Sequence, residues 1–405
     1  MNRKQFGILL VLLVILGGGG WYIQQGRNRF ASAGEQGTGQ KLMGESFPIN
    51  DIAHLHIVQG SNEVNLIRKQ DVWKVAERKD FPANFAAISD FLIKLRDIKV
   101  VQQDEVGDTD KRRLQLLATG DGTNLGMFLD FKNADEKTLS TLVLGKKHLA
   151  KPNEQQLQYG MGDAGFADGR YVQSAANQKV VMLISDPLNS IEPKPADWLN
   201  KDFFKVERPK FISVSRQVAS NSWAITRETE SGEWTLVGAV GEEKLDSARA
   251  SGVSNPFASP SFNDIARNGA DDTQLGLDKP VIIQIETFDD FSYTIKLGAK
   301  KDDQYPMVMT INSNYPKERT PSKDEKPEDK TKADKAWADR RKQLESQLAN
   351  TKRYENWVFM VPAWTVDTLL KDRKELLVEK KDEPKSPENT NTPKPEPFPA
   401  NEPVK

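Results

Sequence analysis

Cysteine does not occur among the 405 residues. Its absence excludes disulfides, a cysteine nucleophile, zinc–thiolate centres and a lipid-modified N-terminal cysteine, so any folded part must be held by an ordinary apolar core. Histidine is nearly as scarce, with three in the whole chain. Neither sign of charge is in excess: 57 Lys and Arg stand against 58 Asp and Glu, a formal net charge of −1. Binding a phosphate backbone needs a basic surface rather than a balanced one, so nucleic acid is not an expected partner. Catalytic signatures are missing as well, since neither a G-x-S-x-G elbow nor an H-E-x-x-H helix occurs.

What is present begins at the N-terminus. Arg3, Lys4 and the amino group precede an uncharged run from Phe6 to Ile23, the pattern of a segment inserted with its N-terminus in the cytoplasm and the rest of the chain outside. Eighteen helical residues span roughly 27 Å, near the lower limit for a bilayer core. The one good match to a signal-cleavage site, Ala31-Ser32-Ala33, lies beyond Trp21, Tyr22, Arg27 and Arg29, too far from the apolar run, and Trp21-Tyr22 suits a membrane interface. An uncleaved anchor is expected. Gly17 to Gly20 weaken it as a helix by about 1 kcal/mol each relative to Ala, a cost that lipid largely offsets.

The remainder, with 37% apolar and 28% charged residues overall, has the length and composition of two globular domains. One pattern occurs twice in it. Residues 62–68 and 71–75 alternate apolar and polar side chains around a short turn, as do 223–227 and 232–237, and Trp73 and Trp234 stand 161 positions apart. Leu114-Gln115-Leu116 answers to Leu275-Gly276-Leu277 at the same offset. Leu142-Val143-Leu144-Gly145-Lys146-Lys147 answers to Ile295-Lys296-Leu297-Gly298-Ala299-Lys300 at an offset of 153, and residues 180–184 answer to 357–361. Each series then enters a short helix-like stretch, 195–199 and 364–370.

A tandem duplication of α+β units with mainly antiparallel strands is the expected fold, because hairpin-length connections dominate and strict βαβ alternation is missing. The first unit should carry a helix near Pro82 to Ile98, with Phe85, Ile88, Phe91, Leu92 and Leu95 at helical spacing. In the second, Pro256 and Pro260 break the corresponding part, and only Phe262 to Ala266 looks helical. From Pro316 to Lys342 charges alternate in sign, and Lys332 to Leu348 reads as an exposed helix with Trp337, Leu344 and Leu348 on one narrow face. Beyond Lys380 seven prolines stand among lysine, glutamate and asparagine, a composition that cannot bury enough apolar area to order itself. The expected division is a basic cytoplasmic start at 1–5, a transmembrane anchor at 6–23, a linker at 24–48, one repeat at 49–208, a second at 209–380 with a charged insertion at 315–353, and a tail at 381–405.

Chemistry is sparse. His54 and His56 are two apart in an expected strand, so they project from one face and could share a metal, yet Ala53, Leu55 and Ile57 form the opposite apolar face and a solvated strand face explains both. His148 would have to supply a third ligand beside Lys146 and Lys147. Gly160-Met161-Gly162-Asp163-Ala164-Gly165 satisfies the letters of a dinucleotide fingerprint but lacks the preceding strand and following helix that give those letters meaning. Asp289-Asp290 lies between two strand-like runs, where a hairpin turn is the ordinary explanation. A glycosidase-like carboxylate pair is not excluded by spacing alone, and Trp73, Trp234 and Trp357 fit core positions better than sugar platforms. No catalytic, cofactor-binding or metal-binding residue is assigned.

The basic start, the apolar segment ending in glycines, and the twice-repeated strand pairs with Trp73 and Trp234, an L-x-L step and an L-G step resemble the bacterial family of domain of unknown function 4340 over roughly residues 1–380. That resemblance implies an extracytoplasmic protein anchored by a single pass in the bacterial cytoplasmic membrane, often encoded beside ABC-transporter permease and ATPase components and gliding-motility auxiliary proteins. It supplies no catalytic residues. The expected function is that of a non-enzymatic accessory or scaffold of a cell-envelope complex associated with an ABC-type transporter, acting through protein partners. An envelope hydrolase or metal-dependent enzyme using His54 and His56, and a module binding cell-wall glycan, stand as alternatives.

Overall fold

Between His54 and Lys69 the chain alternates apolar and polar side chains, and the alternation closes a hairpin. In the computed structural model, which describes residues 39–118, 124–150, 166–174, 177–316, 318–321 and 326–379, β1 (His54–Gln59) pairs antiparallel with β2 (Asn62–Lys69). Leu55 faces Leu66 and Ile57 faces Val64 across the ladder, all four fully buried. Gly60 turns the chain at φ +61°, in the left-handed region that glycine enters without steric cost. The expected anchor at 6–23, the glycine loop at 160–165 and the tail at 381–405 lie outside the described residues. Among the described residues, no helix is long and apolar enough to cross a membrane.

Two antiparallel sheets organise the described residues. The first adds β3 (Val72–Val75), β4 (Phe81–Pro82), β5 (Val100–Glu105), β6 (Met127–Lys132), β7 (Thr138–Ala150), β8 (Phe166–Ser174) and β9 (Val180–Ile184). The second contains β10 (Pro209–Ser215), β11 (Trp223–Thr226), β12 (Thr235–Leu236), β13 (Asp264–Ile265), β14 (Val281–Thr287), β15 (Phe291–Leu297), β16 (Gln304–Ser313) and β17 (Phe359–Pro362). Their orders are β4-β3-β2-β1-β6-β7-β8-β9-β5 and β12-β11-β10-β14-β15-β16-β17-β13. With β4 set aside, the two orders correspond strand for strand. Helices are few, so the molecule is more nearly all-β than the α+β class expected from sequence.

The register carries the correspondence to single residues. Leu66 pairs with Val75 as Ile225 pairs with Leu236, which sets Trp73 and Trp234 at matching positions. Each L-x-L step ends a helical turn in the same way. Gln115 and Gly276 have φ of 56° and 68°, and the amides of Leu116 and Leu277 reach back five residues to Lys111 and Asp272, closing a Schellman motif. The carbonyl of the first leucine is then taken from β7 in one unit and from just past the end of β15 in the other: Lys146 N donates to Leu114 O at 2.8 Å and Ala299 N to Leu275 O at 3.1 Å. Gly145 and Gly298 precede those donors, and a Cβ on either would overlap the leucine carbonyl. The two sequence motifs of each unit therefore meet, and glycine is what lets the backbones touch.

Helix positions differ from expectation in four places. Helix α1 (Phe85–Asp97) starts after Pro82, which belongs to β4, because Asn84 caps it by accepting from Ala87 N. Its Ile88, Phe91, Leu92 and Leu95 are buried, each contributing about 1.5–3 kcal/mol, whereas Phe85 is exposed. After α2 (Asp108–Arg113), the next helix is α3 (Ser247–Ser251), capped by Asp246, and not 262–266. That segment contains β13, whose Ile265 pairs with Phe359. Asp246 N donates to Leu376 O and Val378 N to Lys244 O, as Asn84 N donates to Trp198 O and Asn200 N to Pro82 O. By these bonds α3 is the shortened counterpart of α1, and the turn at Arg373–Leu376, rather than 364–370, is the counterpart of Pro195–Trp198. The charged helix α4 runs from Pro327 to Lys352, longer than expected at both ends, and buries Leu344.

Replacing Gly298 by Ala forces a methyl into the Leu275 carbonyl and should cost about 1–3 kcal/mol. Gly252→Ala, where the nearest outside atom is Arg249 O at 3.4 Å, should change stability by less than about 0.5 kcal/mol. Urea midpoints of the two variants provide the comparison; equal shifts would show that the close approach is not what glycine serves.

Candidate functional site

His54 and His56 do share one face of β1, with Leu55 and Ile57 buried on the other. The polar face is covered rather than open at His54, which is 7% exposed. Its Nδ1 lies 2.8 Å from Glu136 Oε2, in the turn between β6 and β7, and its Nε2 lies 2.9 Å from Asn65 Oδ1 on β2. Both ring nitrogens are thus taken by neighbours and neither is left for a metal. His56 Nε2 stands 2.9 Å from Glu63, and His148 pairs with Asp168 across β7 and β8. Among the described residues no group of three His, Asp or Glu could hold a metal ion. The hydrogen bond from His54, reinforced by the charges of His54 and Lys132, holds the Glu136 carboxyl below the usual carboxylate range.

Asp289 and Asp290 occupy the turn between β14 and β15, as expected, and Asp290 has φ 57°. Asp289 does more than turn the chain. It is 9% exposed and receives Arg208 at 2.6 Å and also Arg340 of α4, so it fastens the charged helix to the second sheet. Trp73 is buried; Trp234 is partly covered, with the Arg227 guanidinium 4.8 Å from its ring; Trp357 packs edge-on to Phe81 at 5.0 Å. All three serve packing.

The largest built feature is the join between the two sheets. The outer edge of β4 is covered by the connection from the first sheet to the second: Ala83 bridges Leu199, and Asn200 N donates to Pro82 O at 2.9 Å. Lys201 then donates to Asn263 O at 2.6 Å, beside β13. Arg78, 6% exposed, makes a two-pronged ion pair with Asp264, Nε to Oδ1 at 2.6 Å and Nη2 to Oδ2 at 2.8 Å. Paired, planar hydrogen bonds of this kind fix orientation as well as distance. Above the pair opens a cleft of about 740 Å³ lined from both sheets and their connection, with Glu77, Lys194, Arg267 and Asn268 among its walls. Glu77 Oε1 accepts from the Asn65 amide and side chain at 2.9 and 2.8 Å, while its Oε2 is buried without a hydrogen-bond partner among the described residues. Nothing in the sequence points to this cleft, because Arg78 and Asp264 are 186 positions apart.

Fold and surface together define a protein of two like-ordered antiparallel sheets joined side by side. The family model described as Domain of unknown function (DUF4340) matches residues 73–280, about half of the chain. The chain belongs to that family. Searches of curated proteins and of solved structures returned no match.

Two measurements test the site. Removing Asp264 strands a buried guanidinium, so Asp264→Ala should cost about 3 kcal/mol, and adding Arg78→Met should restore much of it; a double variant no more stable than Asp264→Ala would refute the pairing. For Glu136 the folded pKa is depressed, so its stabilisation is present above the unfolded value of 4.5 and is lost as pH falls through the folded value. The carboxyl is largely exposed and the effect is screened to under about 1 kcal/mol. Urea midpoints from pH 6 to pH 3 should fall less steeply below pH 4.5 in Glu136→Gln than in the wild type.

Proposed function

We propose that this protein is a membrane-tethered, extracytoplasmic scaffold or accessory subunit of a cell-envelope complex, associated with an ABC-type transporter and working through protein contacts rather than catalysis. The observation that carries the reading is the join itself: two sheets of one strand order are held in fixed relation by a buried ion pair and a shared connection, which suits a body that presents surfaces to partners. We further take the two sheets to be copies of one ancestral unit, a view supported by the shared order, the paired L-x-L and L-G steps and the shared capping bonds. The apolar run from Phe6 to Ile23, with Arg3 and Lys4 before it, supports an anchor in the bacterial cytoplasmic membrane with both sheets on the periplasmic side. The transporter association rests on the family resemblance alone.

Crosslinking the full-length protein in native membranes, followed by identification of the crosslinked chains, should recover transporter permease subunits. Recovery of the protein alone would count against a scaffold, and its release from membranes by alkaline carbonate would count against the anchor.

A further inference from the structure

The charged helix walls a second cleft. Leu344, Leu348 and Thr351 turn toward the second sheet. The adjoining face looks across a cleft of about 550 Å³ to residues 203–207 of the connection between sheets. Along most of α4 charges of both signs alternate, but on this face the sequence changes character: Gln343, Ser346, Gln347 and Asn350 follow one another at helical spacing. None of these four side chains has a hydrogen-bond partner among the described residues. Beneath them the floor is fixed, with Phe203, Phe204 and Tyr354 packed ring to ring at 4.6 to 6.5 Å.

We propose that this cleft binds an extended acidic segment of a protein partner. Amide side chains both donate and accept, which matches the alternating N–H and C=O of a peptide main chain. From Gln343 to Asn350 is about 10 Å along the helix, the length of about three residues of extended chain. The charged side chains around the cleft set the sign of the partner. Lys205 and Lys342 face it without an ion pair among the described residues, Arg353 lies over the Tyr354 ring at 4.9 Å, and Glu207 is the acidic member. Three cations against one carboxylate, in a chain whose total charge is near zero, favour an anionic ligand. The proposal rests on the scaffold reading and gives it a partner class.

Fluorescence anisotropy of the full-length protein with a labelled peptide of alternating Glu and Ser is the test. The acidic peptide should bind and its Lys-for-Glu counterpart should not. Lys205→Glu with Lys342→Glu should weaken binding at least about tenfold and flatten its salt dependence. Gln347→Ala with Asn350→Ala should weaken it several-fold at every salt concentration, and Glu207→Lys should tighten it. These side chains are solvent-facing, and an unchanged urea midpoint verifies that each variant is folded. Absence of binding overturns the proposal. So does equal competition by an acidic oligosaccharide of the same charge together with indifference to the amide substitutions, which would mark a generic polyanion patch. Peptide binding without partners in the membrane crosslinks would leave the site standing and remove the scaffold reading; crosslinked partners without peptide binding would do the reverse.

Discussion

Phe81 sits at the point where the two sheets meet, and its ring packs edge-on against Phe262, Trp357 and Phe359 of the second unit at 5.0 to 6.0 Å. Phe203, from the connection, closes the same cluster against Phe262 and Phe359 at 5.0 and 4.6 Å. Edge-to-face pairs of this kind add about 0.5–1.5 kcal/mol each beyond the area they bury. The Arg78–Asp264 pair ties the same two sheets together, with Arg78 6% exposed. Without the cluster, two units linked by one connection and an ion pair would be free to move relative to one another. The cleft above Arg78 depends on this contact, since both sheets and their connection wall it.

Much of the framework is legible in the order of residues. Alternation in 62–75 and 223–237 reflects sheets with one face buried, and the L-x-L and L-G steps stand out because a left-handed cap and a close backbone approach admit few residues. What stays hidden does so for physical reasons. Helix α3 has five residues, too few for a 3.6-residue period to emerge, and its mark in the sequence is little more than the capping Asp246. Phe262, Ile265 and Ala266 have the spacing of a helical face, but a free edge on β17 supplies hydrogen bonds that outweigh local preference. Three of the four residues at Arg373–Leu376 are charged, where Pro195–Trp198 has Asp197 alone, so their equivalence shows in backbone bonds.

The sites are less legible than the fold. His54 reads as a solvated strand residue, and the alternation is right about its face; its burial comes from Glu136, 82 positions away, folding back across β1. The long helix reads as a solvated excursion, and its polar surface is indeed exposed. Its attachment depends on Asp289, in a turn 51 positions before Arg340. A turn aspartate needs no partner to explain it locally, so nothing in its own surroundings reveals that it anchors another element.

Among the described residues, the contact made at Phe81 is not repeated on the far side of the second unit. Backbone bonds equate Pro82 with Lys244, which places Glu243 where the first unit has Phe81. An aromatic wedge is thereby replaced by a carboxylate, and Arg373 takes it at 2.7 Å while also donating to Gly238 O at 2.8 Å. Arg373 and the Val240 amide hold Glu243 below the usual carboxylate range, so it stays ionised near neutrality. Docking another sheet there would require desolvating that ion pair without an aromatic surface to offset the cost. The neighbouring edge strand, β12, is two residues long, too short to template a new strand. One residue exchange, Phe81 for Glu243, thus puts an aromatic contact at this position in one unit and an ion pair in the other.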